Sequence, residues 1–115
     1  MMGFHFDCVF YYVSDMDQAI SFYSNVVGLK LTSRDVVARF DIDGVLFELV
    51  HDQGKRKLGR GGNARLCLKV DDLGQAIEYL KLKGTTTSEI QVVENGKLAF
   101  FEDPDRNEIC LWQYA

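Results

Sequence analysis

One pattern is written twice in this chain, and that repetition restricts the fold more than any composition figure. Val13-Ser14-Asp15-Met16-Asp17-Gln18-Ala19-Ile20-Ser21-Phe22 returns as Val70-Asp71-Asp72-Leu73-Gly74-Gln75-Ala76-Ile77-Glu78-Tyr79, an offset of 57 residues. Asp41-Ile42-Asp43 with Phe47-Glu48-Leu49 returns as Asp103-Pro104-Asp105 with Ile109-Cys110-Leu111, an offset of 62. Two half-length copies of one unit predict a pseudo-symmetric domain with a cleft between its halves. At 115 residues there is room for one such domain, residues 1–115, whose core needs no disulfide or structural metal. What lines the cleft then decides the function.

A net charge of only −4 argues against a nucleic-acid partner. The three cysteines, Cys8, Cys67 and Cys110, are odd in number and lack zinc-finger or Cys-x-x-Cys spacing. That usage points to reduced thiols in a cytosolic protein. Met1 to Asp7 lack the apolar run of a signal peptide, and no stretch approaches the length of a membrane span. The chain is expected in the cytoplasm, with no membrane partner.

Phe6 to Val13 is rich in β-branched and aromatic residues and reads as a buried strand. A helix starts at Ser14 or Asp15, with Gln18 at capping-box spacing from Asp15. Ile20, Tyr23 and Val27 share one of its faces, and Gly28 ends it. Strands are predicted over Leu29 to Ser33, Val36 to Asp41 and Val45 to His51, with Asp43-Gly44 as a hairpin turn. Residues 52–63 form a Gly- and basic-rich linker. The second copy has a strand from Ala64 to Val70 and a helix from about Asp72 to Lys83, ended by Gly84. Strands follow near Ser88 to Val93, Leu98 to Glu102 and Glu108 to Tyr114. The fold class is α+β: two tandem βαβββ modules, about 4–51 and 64–114, forming a curved mixed sheet around a cleft.

Strand alternation assigns faces. Cys8, Phe10 and Tyr12 share one face, as do Leu46, Glu48 and Val50. In the second copy Arg65, Cys67 and Lys69 share a face, as do Glu108, Cys110 and Trp112. Val9, Phe47, Leu49, Leu66, Leu68, Ile109 and Leu111 point the other way and suit packing under the helices. The first set is expected to face the cleft.

Several segments carry a family resemblance: Val13-Ser14-Asp15-Met16, Ala19-Ile20-Ser21-Phe22-Tyr23, Val27-Gly28-Leu29, Val70-Asp71-Asp72-Leu73, and Phe101-Glu102-Asp103-Pro104-Asp105-Arg106-Asn107. In their order and spacing the chain resembles the vicinal oxygen chelate superfamily, which groups glyoxalase I, bleomycin-resistance proteins, fosfomycin-resistance enzymes and extradiol dioxygenases. The resemblance implies a homodimer, with sites built from both chains. In the enzymes it implies a divalent metal held by His, Glu, His and Glu from the first and last strand of each module. Position by position, those ligands fall on Cys8, Glu48, Arg65 and Cys110, so only Glu48 keeps the family residue.

That departure has a physical consequence. Arg65 has no lone pair to donate and carries a fixed positive charge. Two unit charges about 4 Å apart repel by roughly 4 kcal/mol at an effective dielectric of about 20. No metal or other cofactor is therefore expected; a zinc site of Cys8, Glu48 and Cys110 is the alternative, and it requires Arg65 to swing away. Glu48 and Arg65 are expected to form an ion pair where the metal would sit, since a lone buried charge is costly.

Other residues carry a sharp and a bland reading each. His5 is read as a strand-end surface residue rather than a substitute ligand, and His51 as a rim or loop residue. Cys8 and Cys110 could be nucleophiles with thiols acidified by Arg65, or small apolar core residues. Cys67 is read as core or cavity wall. Phe10, Tyr12, Trp112 and Phe100 form either an aromatic wall for a planar ligand or ordinary core. Tyr114 is placed at the rim. Lys55, Arg56, Lys57 and Arg60 either attract an anion at a gate or form a solvated linker. Gly59-Arg60-Gly61-Gly62 precedes a strand and is no dinucleotide fingerprint. Arg106 stands where the family has glycine, which implies backbone strain if its φ is positive.

Three functions follow. The favoured one is a metal-free protein that binds a small molecule, possessing Glu48 and Arg65 as polar anchors among Cys8, Phe10, Tyr12, Leu46, Cys67, Cys110 and Trp112. The second is a divalent-metal lyase, isomerase or dioxygenase with Glu48 as surviving ligand or base. The third is an interaction module whose cleft is filled by its own side chains.

Overall fold

A computed structural model describes residues 3–59 and 63–115. The chain divides into two compact units, with the boundary between Arg56 and Lys57. The α+β class and the βαβββ order hold in both, and each unit carries its own open four-stranded mixed sheet.

The first unit contains β1 (Cys8–Val13), α1 (Met16–Ser21), a π-helical segment (Phe22–Val27), β2 (Lys30–Arg34), β3 (Val37–Ile42) and β4 (Val45–His51). Its strand order is β1-β4-β3-β2. β1 runs parallel to β4 and the other pairs are antiparallel. Asp15 is the cap, its carboxylate accepting from the Gln18 backbone N–H at 3.0 Å. The helix then widens into π geometry and ends at Gly28, whose φ of 88° suits a residue without Cβ. Ala19 and Tyr23 are buried four residues apart, and Tyr23 packs on Phe47 and Phe40 at ring-centroid distances of 5.1 and 6.1 Å. The Asp43-Gly44 turn takes φ of 53° and 86°, positive at both central positions as a two-residue hairpin requires.

The second unit contains β5 (Leu66–Lys69), α2 (Leu73–Leu82), β6 (Gln91–Val93), β7 (Gly96–Glu102) and β8 (Glu108–Tyr114), in the order β5-β8-β7-β6. Asp72 caps α2 through the Gln75 N–H at 3.0 Å, as the repeat predicts. A second cap is not foreseen: the Gln113 side chain accepts from the Leu73 N–H at 2.7 Å and ties α2 to β8. Leu73 and Leu80 are buried, with Ala76 and Ile77 half-buried between them, which is the helical spacing of one packed face. Of the residues expected beneath the helices, Phe47, Leu49, Leu66, Ile109 and Leu111 are buried, while Val9 and Leu68 are half-buried.

Two expectations need correction. The strand predicted from Ser88 begins at Gln91. Ser88 instead pins the preceding segment to β7: its hydroxyl accepts from the Phe100 N–H and its own N–H donates to the Phe100 carbonyl, both at 2.8 Å. The match of Asp41 with Asp103 is one of letters only. Asp41 lies in β3 opposite Leu46, whereas Glu102 takes the corresponding place opposite Glu108, and Asp103 has already entered the turn.

Candidate functional site

In the first unit, β1 and β4 pair Cys8 with Leu46, Phe10 with Glu48 and Tyr12 with Val50. Cys8, Phe10, Tyr12, Leu46 and Glu48 therefore share one sheet face, opposite the buried Phe47 and Leu49. Phe10 and Tyr12 meet edge to face at 5.3 Å, and Phe10 is 44% exposed, more than a core residue would be. Burial, then the charges of Glu48 and Asp7, push the Cys8 thiol above its ordinary pKa.

Glu48 has a partner that the sequence reading missed. Arg39, directly across on β3, places Nε 3.4 Å from Glu48 Oε2 and donates through Nη1 to Asp35 at 2.8 Å. Arg56 also departs from expectation. Its guanidinium and backbone N–H both donate to Asp52 at 3.2 Å, and it lies 3.9 Å above the Tyr12 ring. It is anchored beside the aromatic face while its side chain remains 46% exposed, as a solvated linker residue would be. Lys55 and Lys57 are exposed, and Arg60 lies outside the described residues.

In the second unit, Cys67 stands directly opposite Cys110, and Lys69 opposite Trp112. Arg65 precedes β5 and donates through Nε to Glu108 at 2.8 Å. Glu48 and Arg65 thus each have an opposite charge within their own unit, and neither requires the other for neutralisation. Cys110 is buried, and burial, followed by its hydrogen bond with Cys67, pushes its thiol up to about 12. The notion that Arg65 acidifies a thiol is reversed at Cys8 and Cys110, whose pKa values both rise. Such thiols stay protonated and un-nucleophilic near neutral pH.

Trp112 rests on Gly96 of β7: a Cβ there would lie 2.7 Å from two indole carbons. Tyr114 meets Trp112 edge to face at 5.3 Å and is itself exposed. Phe100 is opposite Cys110 and lines an open pocket of about 480 Å³ together with Thr85, Thr87, Ser88, Glu102 and Glu108. The sequence reading missed this pocket because its hydroxyl-rich wall, residues 85–88, looked like the approach to a strand. His5 and His51 are exposed, and His51 Nε2 lies 3.1 Å from the Ser14 carbonyl. Arg106 has the anticipated positive φ, 68°.

These donors do not suit the divalent metal that the family resemblance implies. Arg65 is a cation with no free pair, Cys110 holds its proton far above neutral pH, and Glu48 is the one carboxylate of the four. Among the described residues, no three His, Cys, Asp or Glu side chains cluster closely enough to hold a metal ion. No described helix is long and apolar enough to cross a membrane.

Comparisons with known proteins agree with the fold. Residues 5–111 match the model of the Glyoxalase/Bleomycin resistance protein/Dioxygenase superfamily. A lactoylglutathione lyase of Salmonella typhimurium is 30% identical over 114 residues, covering 86% of this chain and 84% of that protein. The Arabidopsis thaliana protein named "Probable lactoylglutathione lyase, chloroplastic" is 35% identical over 112 residues, covering 84% of this chain but only 32% of its own length. Among solved structures, TnmS3, an antibiotic binding protein from Streptomyces sp. CB03234, is 27% identical with a TM-score of 0.78, covering 100% of this chain and 99% of that one. Sequence pattern, strand order and these matches agree: the chain belongs to the Glyoxalase/Bleomycin resistance protein/Dioxygenase superfamily.

Proposed function

We propose that this protein binds a small, aromatic or partly polar molecule without a metal, in the manner of a sequestering protein. The observation that carries this reading is Arg65, a cation held at 2.8 Å on Glu108 in a position where the family's enzymes place a ligand. Glu48 and Arg65 serve as polar anchors, and Phe10, Tyr12, Leu46 and Trp112 as apolar contacts, with Cys8, Cys67 and Cys110 beside them. The likeness to an antibiotic-binding protein supports the same direction. The proposal keeps residues 1–115 as one glyoxalase-like domain, because the family model runs unbroken from 5 to 111. It places the protein in the cytoplasm as a homodimer, a setting consistent with its three free thiols.

The lactoylglutathione lyase relatives support a second reading, a metal-dependent lyase, isomerase or dioxygenase with Glu48 as ligand or base. Thermal unfolding separates the two. A one-site ligand at about 100 times its Kd adds roughly 2.7 kcal/mol, a readily measured rise in Tm. The proposal expects Ni²⁺, Zn²⁺, Fe²⁺ and Mg²⁺ to leave Tm unchanged, and at least one aromatic compound in a small-molecule screen to raise it. A metal-induced rise that disappears in Glu48→Ala would overturn it and favour the enzyme.

A further inference from the structure

Cysteines stand on two adjacent strands of the second sheet. Cys67 on β5 and Cys110 on β8 are register partners in a parallel pair, so their side chains leave the same face. Neighbouring strands lie about 4.8 Å apart, and disulfides span Cα separations of roughly 4.4–6.8 Å. Both thiols are free. Their environments differ: Cys67 is exposed and Cys110 is buried. Cys8 has no such neighbour in its own sheet, where its register partner is Leu46.

We propose that Cys67 and Cys110 form a cross-strand dithiol that small-molecule disulfides oxidise to an intrachain disulfide. Cys67, the accessible member, attacks one sulfur of the small disulfide as its thiolate. The first small thiolate leaves and takes a proton from water. Cys110 then attacks the Cys67 sulfur, its own proton passes to solvent base, and the second small thiolate departs. Two electrons leave the protein dithiol, and one small disulfide becomes two small thiols. Because Cys110 holds its proton tightly, the second step is the slower one and quickens as pH rises. The proposal rests on strand register alone and stands whatever ligand the protein takes.

The test uses the full chain equilibrated at pH 8.5 with glutathione disulfide, quenched in acid, unfolded and alkylated with a maleimide for intact-mass and peptide analysis. In the wild type, alkylatable thiols should fall from three to one, with the remaining label on Cys8 and a peptide joining Cys67 to Cys110. Cys67→Ser, at an exposed position, should form no intrachain disulfide. Cys110→Ser should instead accumulate a glutathione adduct on Cys67. Three labels retained in the wild type, a lasting adduct on Cys67, or a disulfide involving Cys8 or a second chain would each overturn the proposal. Matching circular dichroism spectra of the variants guard against a folding artefact.

Discussion

Replacing Gly96 with alanine sets two effects against each other. Alanine is favoured over glycine by at most about 0.5–1 kcal/mol at Gly96, the first residue of β7, because glycine loses more backbone freedom on folding. Against this, the new methyl would lie 2.7 Å from the Trp112 indole and closer still to the backbone oxygen of Gln113. The indole can tilt, but the Gln113 carbonyl belongs to a paired strand whose own side chain caps α2. Overpacking of this kind costs roughly 1–3 kcal/mol, and with backbone involved the upper end applies. The net loss is about 2 kcal/mol, or roughly 8 °C in Tm at about 4 °C per kcal/mol for a domain of this size. Trp112 is the only tryptophan in the chain, so its fluorescence reports the displacement directly. A Gly96→Ala variant that melts within 2 °C of wild type with an unchanged emission maximum would refute the reasoning.

Asp52→Asn tests the Arg56 anchor. Burial raises the Asp52 carboxyl, but the Arg56 backbone N–H and guanidinium outweigh it and hold the pKa below its ordinary value. A depressed folded-state pKa contributes stability above the unfolded value, near 4, and loses it as pH falls further. Wild type should therefore exceed the variant in urea midpoint at pH 7, with the gap narrowing toward pH 3; an equal gap at both refutes the assignment. For Cys110 the sign is opposite. Its raised pKa means stability declines as pH climbs from about 9 toward 12, and Cys110→Ala should flatten that decline in melts across the range. Asp72→Ala removes the cap on Gln75 and should cost about 1 kcal/mol in chemical unfolding. Arg106→Gly relieves a left-handed backbone worth about 1–2 kcal/mol and loses only an exposed 3.9 Å pair with Glu102. Its Tm should rise by a few degrees, and a fall would count against strain there.

The fold was legible because its signals are local. Caps, helix ends and the Asp43-Gly44 turn each depend on a few neighbouring residues, and they recur in order. The site was legible in its faces and less so in its pairings. Arg39 as the partner of Glu48 was within reach, since a two-residue turn at Asp43-Gly44 sets every rung of the hairpin above it. Glu108 as the partner of Arg65 needed strand pairing across more than forty residues, which no local pattern encodes. Gln113 capping α2 likewise joins residues forty apart, and Trp112 covering Gly96 depends on the register of the β7–β8 hairpin. The π-helical segment escaped because its residues keep a helical apolar pattern, and only the backbone bonds distinguish it.

The four rungs of β5 on β8 match four of those of β1 on β4. Phe10 faces Glu48 in the first, and the positions 57 and 62 residues later, Cys67 and Cys110, face each other in the second. A slip of one residue would have turned every inward side chain outward, so the copies have drifted apart by exchanging residues within a shared frame. Each half is thus an internal control for the other. A residue pair can be transplanted between equivalent rungs, and a change in behaviour then reports the side chains alone, with the backbone geometry around them held constant.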